Sequence, residues 1–334
     1  MTLAVVVAAA MFIGVITYAL LGGADFGSGF YDLTAGPGVQ GNDLRTLVDH
    51  SIGPVWEANH VWLIYVLVMW WTAFPRAFVA ATTTLFIPLI LALVGIVLRG
   101  ASFAFRKDAE TFAEARLFGA IFAGASLITP FFLGMVAGAI ASGQVPAVGY
   151  GDRIGSWINP TSLVGGCLAV TTCVFLAGVF LTADAARVDM PTLAVRLAKR
   201  TLAVGVAAGL IVFAGLYPIL HDAPTLSHGL LGAGLPLLVI AALAGVITVV
   251  LLYRRAYSTA RFFAAAAVAA VVAGWGVGQY PWMLVGQLTI AEAAGAAATL
   301  RGLLVVVAIA VVIVLPALGY LLRLTQTRTW SRIR

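Results

Sequence analysis

The chain has 334 residues, 62% of them hydrophobic and only 10% charged, with a mean hydropathy of +1.06. A soluble domain of this length has no use for so much apolar surface, so the composition excludes a water-borne fold and points to lipid as the solvent. The formal charge is +6 and the pI near 9.6, yet the basic residues flank apolar runs instead of interleaving with aromatics along a groove, so no nucleic-acid partner is expected.

A spanning helix needs about 20 mostly apolar residues. Nine such windows occur, in chain order: Leu3 to Leu21, Pro54 to Ala73, Phe78 to Leu98, Leu117 to Ala141, Trp157 to Thr182, Leu202 to Leu220, Leu230 to Tyr253, Phe262 to Tyr280 and Leu303 to Leu322. The first has no basic segment before it and runs into Gly22, Gly23 and Asp25 with no clear cleavage site, so it reads as a retained helix. The connections are short and lack the turn chemistry of a soluble domain, so residues 1–334 read as a single polytopic membrane domain, all-α in class. Glycines recur at small-xxx-small spacing, as in Gly134 and Gly138, which permits close helix contact in lipid.

If nine helices alternate in direction, 16 of the 19 Lys and Arg residues fall on the side that holds the C-terminus. Only Arg76, Arg153 and Arg301 fall on the other. The excess of basic residues on one side predicts an external N-terminus and a cytoplasmic C-terminus. In this reading Arg99, Arg106, Lys107 and Arg116 belong to one cytoplasmic loop, and Arg187, Arg196, Lys199 and Arg200 to another.

Ionisable groups inside spans are functional candidates, because insertion scales charge a few kcal/mol for each (about 3 for Asp or Arg at the centre). Two acids qualify, Asp25 at the cytoplasmic end of the first window and Glu57 one turn into the second. His60 lies three residues after Glu57, on an adjacent part of the same surface, where the two could share a hydrogen bond. Trp56, Asn59 and Trp62 follow at i, i+3 and i+6 and line a neighbouring stripe. Each has a plainer reading: Glu57, His60 and the tryptophans as interfacial anchors, Asp25 as a cap in a Gly-rich turn. His50, His221 and His228 are placed in loops with no second ligand at helical spacing. Cys167 and Cys173, six apart in an apolar run with no His or carboxylate beside them, do not suggest a metal site.

The segments Gly23-Ala24-Asp25-Phe26-Gly27 and Gly53-Pro54-Val55-Trp56-Glu57-Ala58-Asn59-His60-Val61-Trp62-Leu63 resemble the two N-terminal signatures of cytochrome bd oxidase subunit II. The resemblance continues in order through Phe74-Pro75, Leu98-Arg99-Gly100 with Phe103 and Phe105-Arg106, Trp157-Ile158-Asn159-Pro160, Gln279-Tyr280-Pro281, and Leu288 to Ala294. It covers essentially the whole chain. Glu57 stands where many members carry Asp, Ala58 where many carry Gly, and Ala104 where many carry an acid, which removes that position from any carboxylate relay.

The resemblance implies two four-helix bundles plus a peripheral helix, and a complex that oxidises quinol and reduces oxygen to water in the bacterial cytoplasmic membrane. It implies a partner, subunit I, carrying the b-type haems, the haem d (or a further b-type haem) and the quinol site. This chain is then expected to bind no haem, to hold no catalytic residue, and to be compatible with a quinone held as a structural lipid and with small accessory subunits. Glu57, Asp25 and His60 become candidates for a proton-uptake path, and Trp56, Asn59 and Trp62 for an interface or quinone-near stripe. The competing readings are a proton-coupled secondary transporter, whose acids and broken helices belong at the midplane, and a purely structural assembly subunit.

Overall fold

The computed structural model describes residues 2–52, 56–107 and 109–330. Its helices are α1 (Leu3–Leu33), α2 (Val39–Ile52), α3 (Trp56–Ala73), α4 (Pro75–Thr84), α5 (Phe86–Lys107), α6 (Phe112–Ala141), α7 (Pro160–Arg187), α8 (Pro191–Asp222), α9 (Pro224–Leu231), α10 (Leu235–Tyr253) and α11 (Tyr257–Gln279). A two-stranded hairpin, β1 (Trp282–Leu284) and β2 (Leu288–Thr289), leads into the single turn α12 (Ile290–Ala293) and the long α13 (Ala297–Trp330). Eight of these helices are long and apolar enough to cross a membrane, and α2 with α3, bent by 52°, makes a ninth span if taken as one.

The proline pattern explains many of the starts. Pro75, Pro160, Pro191 and Pro224 each sit in the first turn of a helix, where the missing N–H costs nothing and the fixed φ is already helical. Asn159 caps α7 by accepting from the N–H of Ser162 at 2.9 Å, and Thr111 and Glu114 form a reciprocal capping box at α6. The helices α1, α3, α5 and α6 form one group and α7, α8, α10 and α11 the other, joined where α7 packs on α1 and α6. Helix α13 lies outside both, with none of its central window buried. The bundle is the expected all-α architecture.

Three spans differ most from the sequence reading, the first of which runs on to Leu33 instead of ending at Leu21. The third span runs from Phe86 to Arg106, not from Phe78 to Leu98, because the chain breaks at Leu85 and α4 packs as a separate short helix. Arg99 therefore lies inside a span instead of in a loop. Likewise α8 begins at Pro191, so Arg196, Lys199 and Arg200 are helical. His50, His221 and His228 are also on helices, the first two turning Nδ1 to the carbonyls of Thr46 and Tyr217.

Close helix contact comes from the glycines. A Cβ on Gly27 would overlap the backbone of Cys173 in α7, and one on Gly29 would overlap Ser126 in α6. Gly134 and Gly138 face Gly165 and Ser162 in the same way at the crossing of α6 with α7, as the small-residue spacing predicts.

Candidate functional site

The segment Gly22 to Gly29 is helical throughout. Asp25 is thus not a cap in a Gly-rich turn: its neighbouring glycines take helical φ and serve to bring α7 and α6 close. Asp25 is only 4% exposed, and its Oδ1 accepts from a guanidinium nitrogen of Arg99 at 2.6 Å. Arg99 is 1% exposed and also donates through Nε to Ser126 Oγ at 3.0 Å and to the Asp25 carbonyl at 3.4 Å. Its planar head lies 5.0 Å from the centre of the Phe26 ring and 4.9 Å from that of Phe122. A charge taken out of water is tolerable only when paired and hydrogen-bonded, and Arg99 has a carboxylate, a hydroxyl, a carbonyl and two ring faces around it. Ser126 in turn donates to the Phe122 carbonyl.

A second pair repeats the first one heptad on. Asp32 accepts from Arg106 at 2.9 and 3.3 Å, and Arg45 approaches the same carboxylate at 3.8 Å. Asp25 and Asp32 on α1 thus meet Arg99 and Arg106 on α5 rung by rung. At the ends of α7 and α11, Asp184 binds Arg261 and accepts from Ser51 at 3.0 Å. Arg200 donates to Thr34 and covers the Tyr31 ring.

His60 and Asn59 line the inner side of α3. Asn59 is buried and donates to the Leu21 carbonyl at 3.3 Å, tying α3 to α1. His60 is ringed by Tyr18, Phe26 and Trp56 at centroid distances of 6.2, 5.8 and 6.3 Å. Its Nδ1 is buried without a hydrogen-bond partner among the described residues. Among the described residues no group of three or more His, Cys, Asp or Glu side chains could hold a metal ion.

Glu57 points the other way. It is exposed on the surface of the chain, in the first described turn of α3, and no hydrogen bond joins it to His60 among the described residues. Val61, Ile64, Val68 and Trp71 continue its exposed stripe along α3. Trp56 is half-buried against Phe103 at 5.6 Å, and Trp62 half-buried against Tyr65 at 6.1 Å. The structure thus gathers Asp25, His60, Trp56 and Asn59 and leaves Glu57 outside them. The Gly53, Pro54 and Val55 part of the second signature lies outside the described residues. Sequence reasoning missed Arg99, Ser126 and Tyr18; the one available signal was an arginine and a serine embedded in otherwise apolar runs.

On the outer surface two carboxylates are shaped by backbone donors. The N–H groups of Gly155 and Ile154 hold the Asp152 carboxyl below its ordinary range, and those of Thr289, with its hydroxyl, do the same for Glu292.

Residues 3–325 match the family profile of cytochrome bd terminal oxidase subunit II. The chain is 28% identical over 214 residues to cytochrome bd ubiquinol oxidase subunit 2 of Bacillus subtilis, a match covering 63% of this chain and 61% of that one. It is 27% identical over 203 residues to cytochrome bd-I ubiquinol oxidase subunit 2 of Escherichia coli, covering 59% and 50%. The aligned segments thus span between half and about three-fifths of the curated relatives. A solved structure of bd oxidase from Geobacillus thermodenitrificans superposes with a TM-score of 0.79 at 25% identity, covering 97% of this chain and 98% of that one. These matches do not favour a secondary transporter, and with the architecture above they give the conclusion that the chain belongs to the cytochrome bd terminal oxidase subunit II family.

Proposed function

We propose that this protein is the haem-free second subunit of a cytochrome bd-type quinol oxidase, working as one membrane domain docked on subunit I in the bacterial cytoplasmic membrane. The carrying observation is the agreement of family profile and fold over almost the whole chain. The haems and the quinol site belong to subunit I in this reading. When bound there, the haems supply the electron transfer and oxygen chemistry. A quinone held as a structural lipid and small accessory subunits are compatible with the arrangement.

Reduction of oxygen within the membrane consumes protons, and Glu57 is an exposed acid in the first described turn of α3. Glu57 is the first member of a proton-uptake path, with His60 on the inner side of the same helix turn as its continuation. Asp25 takes part beside them as the ion-pair partner of Arg99. The scaffold-only reading draws on that same pair, which fastens α1 to α5.

The test is Glu57→Gln in the complex purified with subunit I. Gln keeps size and hydrogen bonding but cannot titrate, so quinol-oxidase turnover should fall several-fold while the haem spectrum and yield stay at wild-type levels. Normal turnover across neutral to alkaline pH would leave the chain as a scaffold.

A further inference from the structure

Three polar atoms around His60 are buried without a hydrogen-bond partner among the described residues: Tyr18 Oη, Asp25 Oδ2 and His60 Nδ1. They converge. Tyr18 and Asp25 are seven residues apart on one face of α1, and the Tyr18 ring lies over Gly22, where a Cβ would come within 2.8 Å of its Cε2. Gly22 thereby lets the ring lie along the helix toward Asp25. The Tyr18 and His60 rings are 6.2 Å apart, and both lie against the ring of Phe26, the residue next to Asp25. The remaining orphaned atoms, Trp70 Nε1, Ser162 Oγ and Arg261 Nε, stand singly on α3, α7 and α11.

The chemistry of the three is complementary to one small molecule. Asp25, its Oδ1 engaged by Arg99, offers Oδ2 as an acceptor only. The Tyr18 hydroxyl can donate, and His60 Nδ1 accepts when the ring proton is on Nε2. The three atoms do not satisfy one another, and a water molecule has two protons to give and a lone pair to receive with. One water donating to Asp25 Oδ2 and His60 Nδ1 while accepting from Tyr18 uses all three, the usual number of bonds for a buried water.

We infer that Tyr18, Asp25 and His60 form a water-binding site, and that its water carries the hydrogen-bonded path from His60 to Tyr18. The inference rests on the proton-uptake reading for its role, though not for its existence. Tyr18 is then a positioning residue for that water, held in place by Gly22 and by the edge of Phe26.

Electron cryomicroscopy of the intact oxidase, at a resolution that shows ordered water, should reveal density within hydrogen-bond distance of all three atoms. A map with ordered water elsewhere in the bundle but none here would overturn the site, whatever any variant does. In the Tyr18→Phe complex the density should weaken or vanish, turnover should drop several-fold, and the solvent deuterium isotope effect should rise, with haem content unchanged. Wild-type turnover and isotope effect in Tyr18→Phe would overturn the path role. Normal turnover in Glu57→Gln beside a slow Tyr18→Phe would count against Glu57 and leave this site standing.

Discussion

An arginine at the centre of a span costs about 3 kcal/mol on insertion scales, and at Arg99 the protein surrounds that charge with a carboxylate, a hydroxyl and two aromatic faces. Removing one member of such a pair leaves the other as an uncompensated buried charge, at about 3–5 kcal/mol, whereas replacing both by apolar groups is far less damaging. We expect Arg99→Leu to lower the melting temperature or yield of the complex sharply, and the Asp25→Leu, Arg99→Leu double variant to recover much of the loss. A thermal melt of the purified oxidase reads both; a double variant no better than the single one would deny the pair its stabilising role. Asp25 was recognisable as a special acid from its apolar surroundings, but its partner was not. The two are 74 residues apart, and Arg99 stands at the edge of an apolar window next to Gly100, where a basic residue reads as the beginning of a loop. Nothing adjacent to either residue announces the other. Glu57 was legible as an acid in a span, while the side of α3 on which it emerges depends on how α3 rolls against α1, which Asn59 decides through Leu21.

At the scale of elements, the apolar windows fall on the observed spans because lipid demands a minimum run of about 20 residues whatever the tertiary contacts. The exceptions are instructive. Phe78 to Thr84 looks continuous with the apolar run from Phe86 onward, yet the chain breaks at Leu85, since apolar content alone does not distinguish a crossing helix from a short one packed beneath it. The hairpin and α12 were unread because two- and three-residue strands leave no periodicity. Their anchor is a capping box in which Thr289 and Glu292 satisfy each other's backbone donors. These donors depress the Glu292 carboxyl from its ordinary value of 4.5, so the unfolded turn takes up a proton before the folded one does. The cap's contribution is therefore fully present above about pH 4.5 and fades as the pH falls through the lower folded value. Hydrogen exchange at the Thr289 amide should accelerate over that acidic window beyond the intrinsic rate change, and Glu292→Gln should flatten the response; an identical profile in the variant would remove the carboxylate from the account.

For the molecule as a whole, the expected orientation rests on the distribution of charge and not on any motif. Read as loop residues, sixteen of the 19 basic residues fall on one side of the nine-span arrangement, and although Arg99 proves to lie within α5, several of the others are paired, Arg45 and Arg106 with Asp32, Arg187 and Arg261 with Asp184. Topology is set by basic residues near the span ends, with acids contributing little. A reporter joined to the C-terminus should therefore be active in the cytoplasm and silent as an external fusion; the opposite result would invert the arrangement and place Glu57 on the wrong side for proton uptake.

The ladder of Asp25 and Asp32 against Arg99 and Arg106 also constrains how the protein is made. When α1 leaves the ribosome Asp32 soon meets Arg45, but Asp25 has no counter-charge, and Arg99, which supplies one, emerges 74 residues later. At about 5–20 residues per second that interval is roughly 4–15 s. During it the first helix gains from staying at the insertion machinery or near the bilayer surface, and α5 in turn enters lipid most cheaply by meeting α1 on the way in. The Asp25–Arg99 pair thus favours insertion that couples helices made seconds apart, α1 with α5.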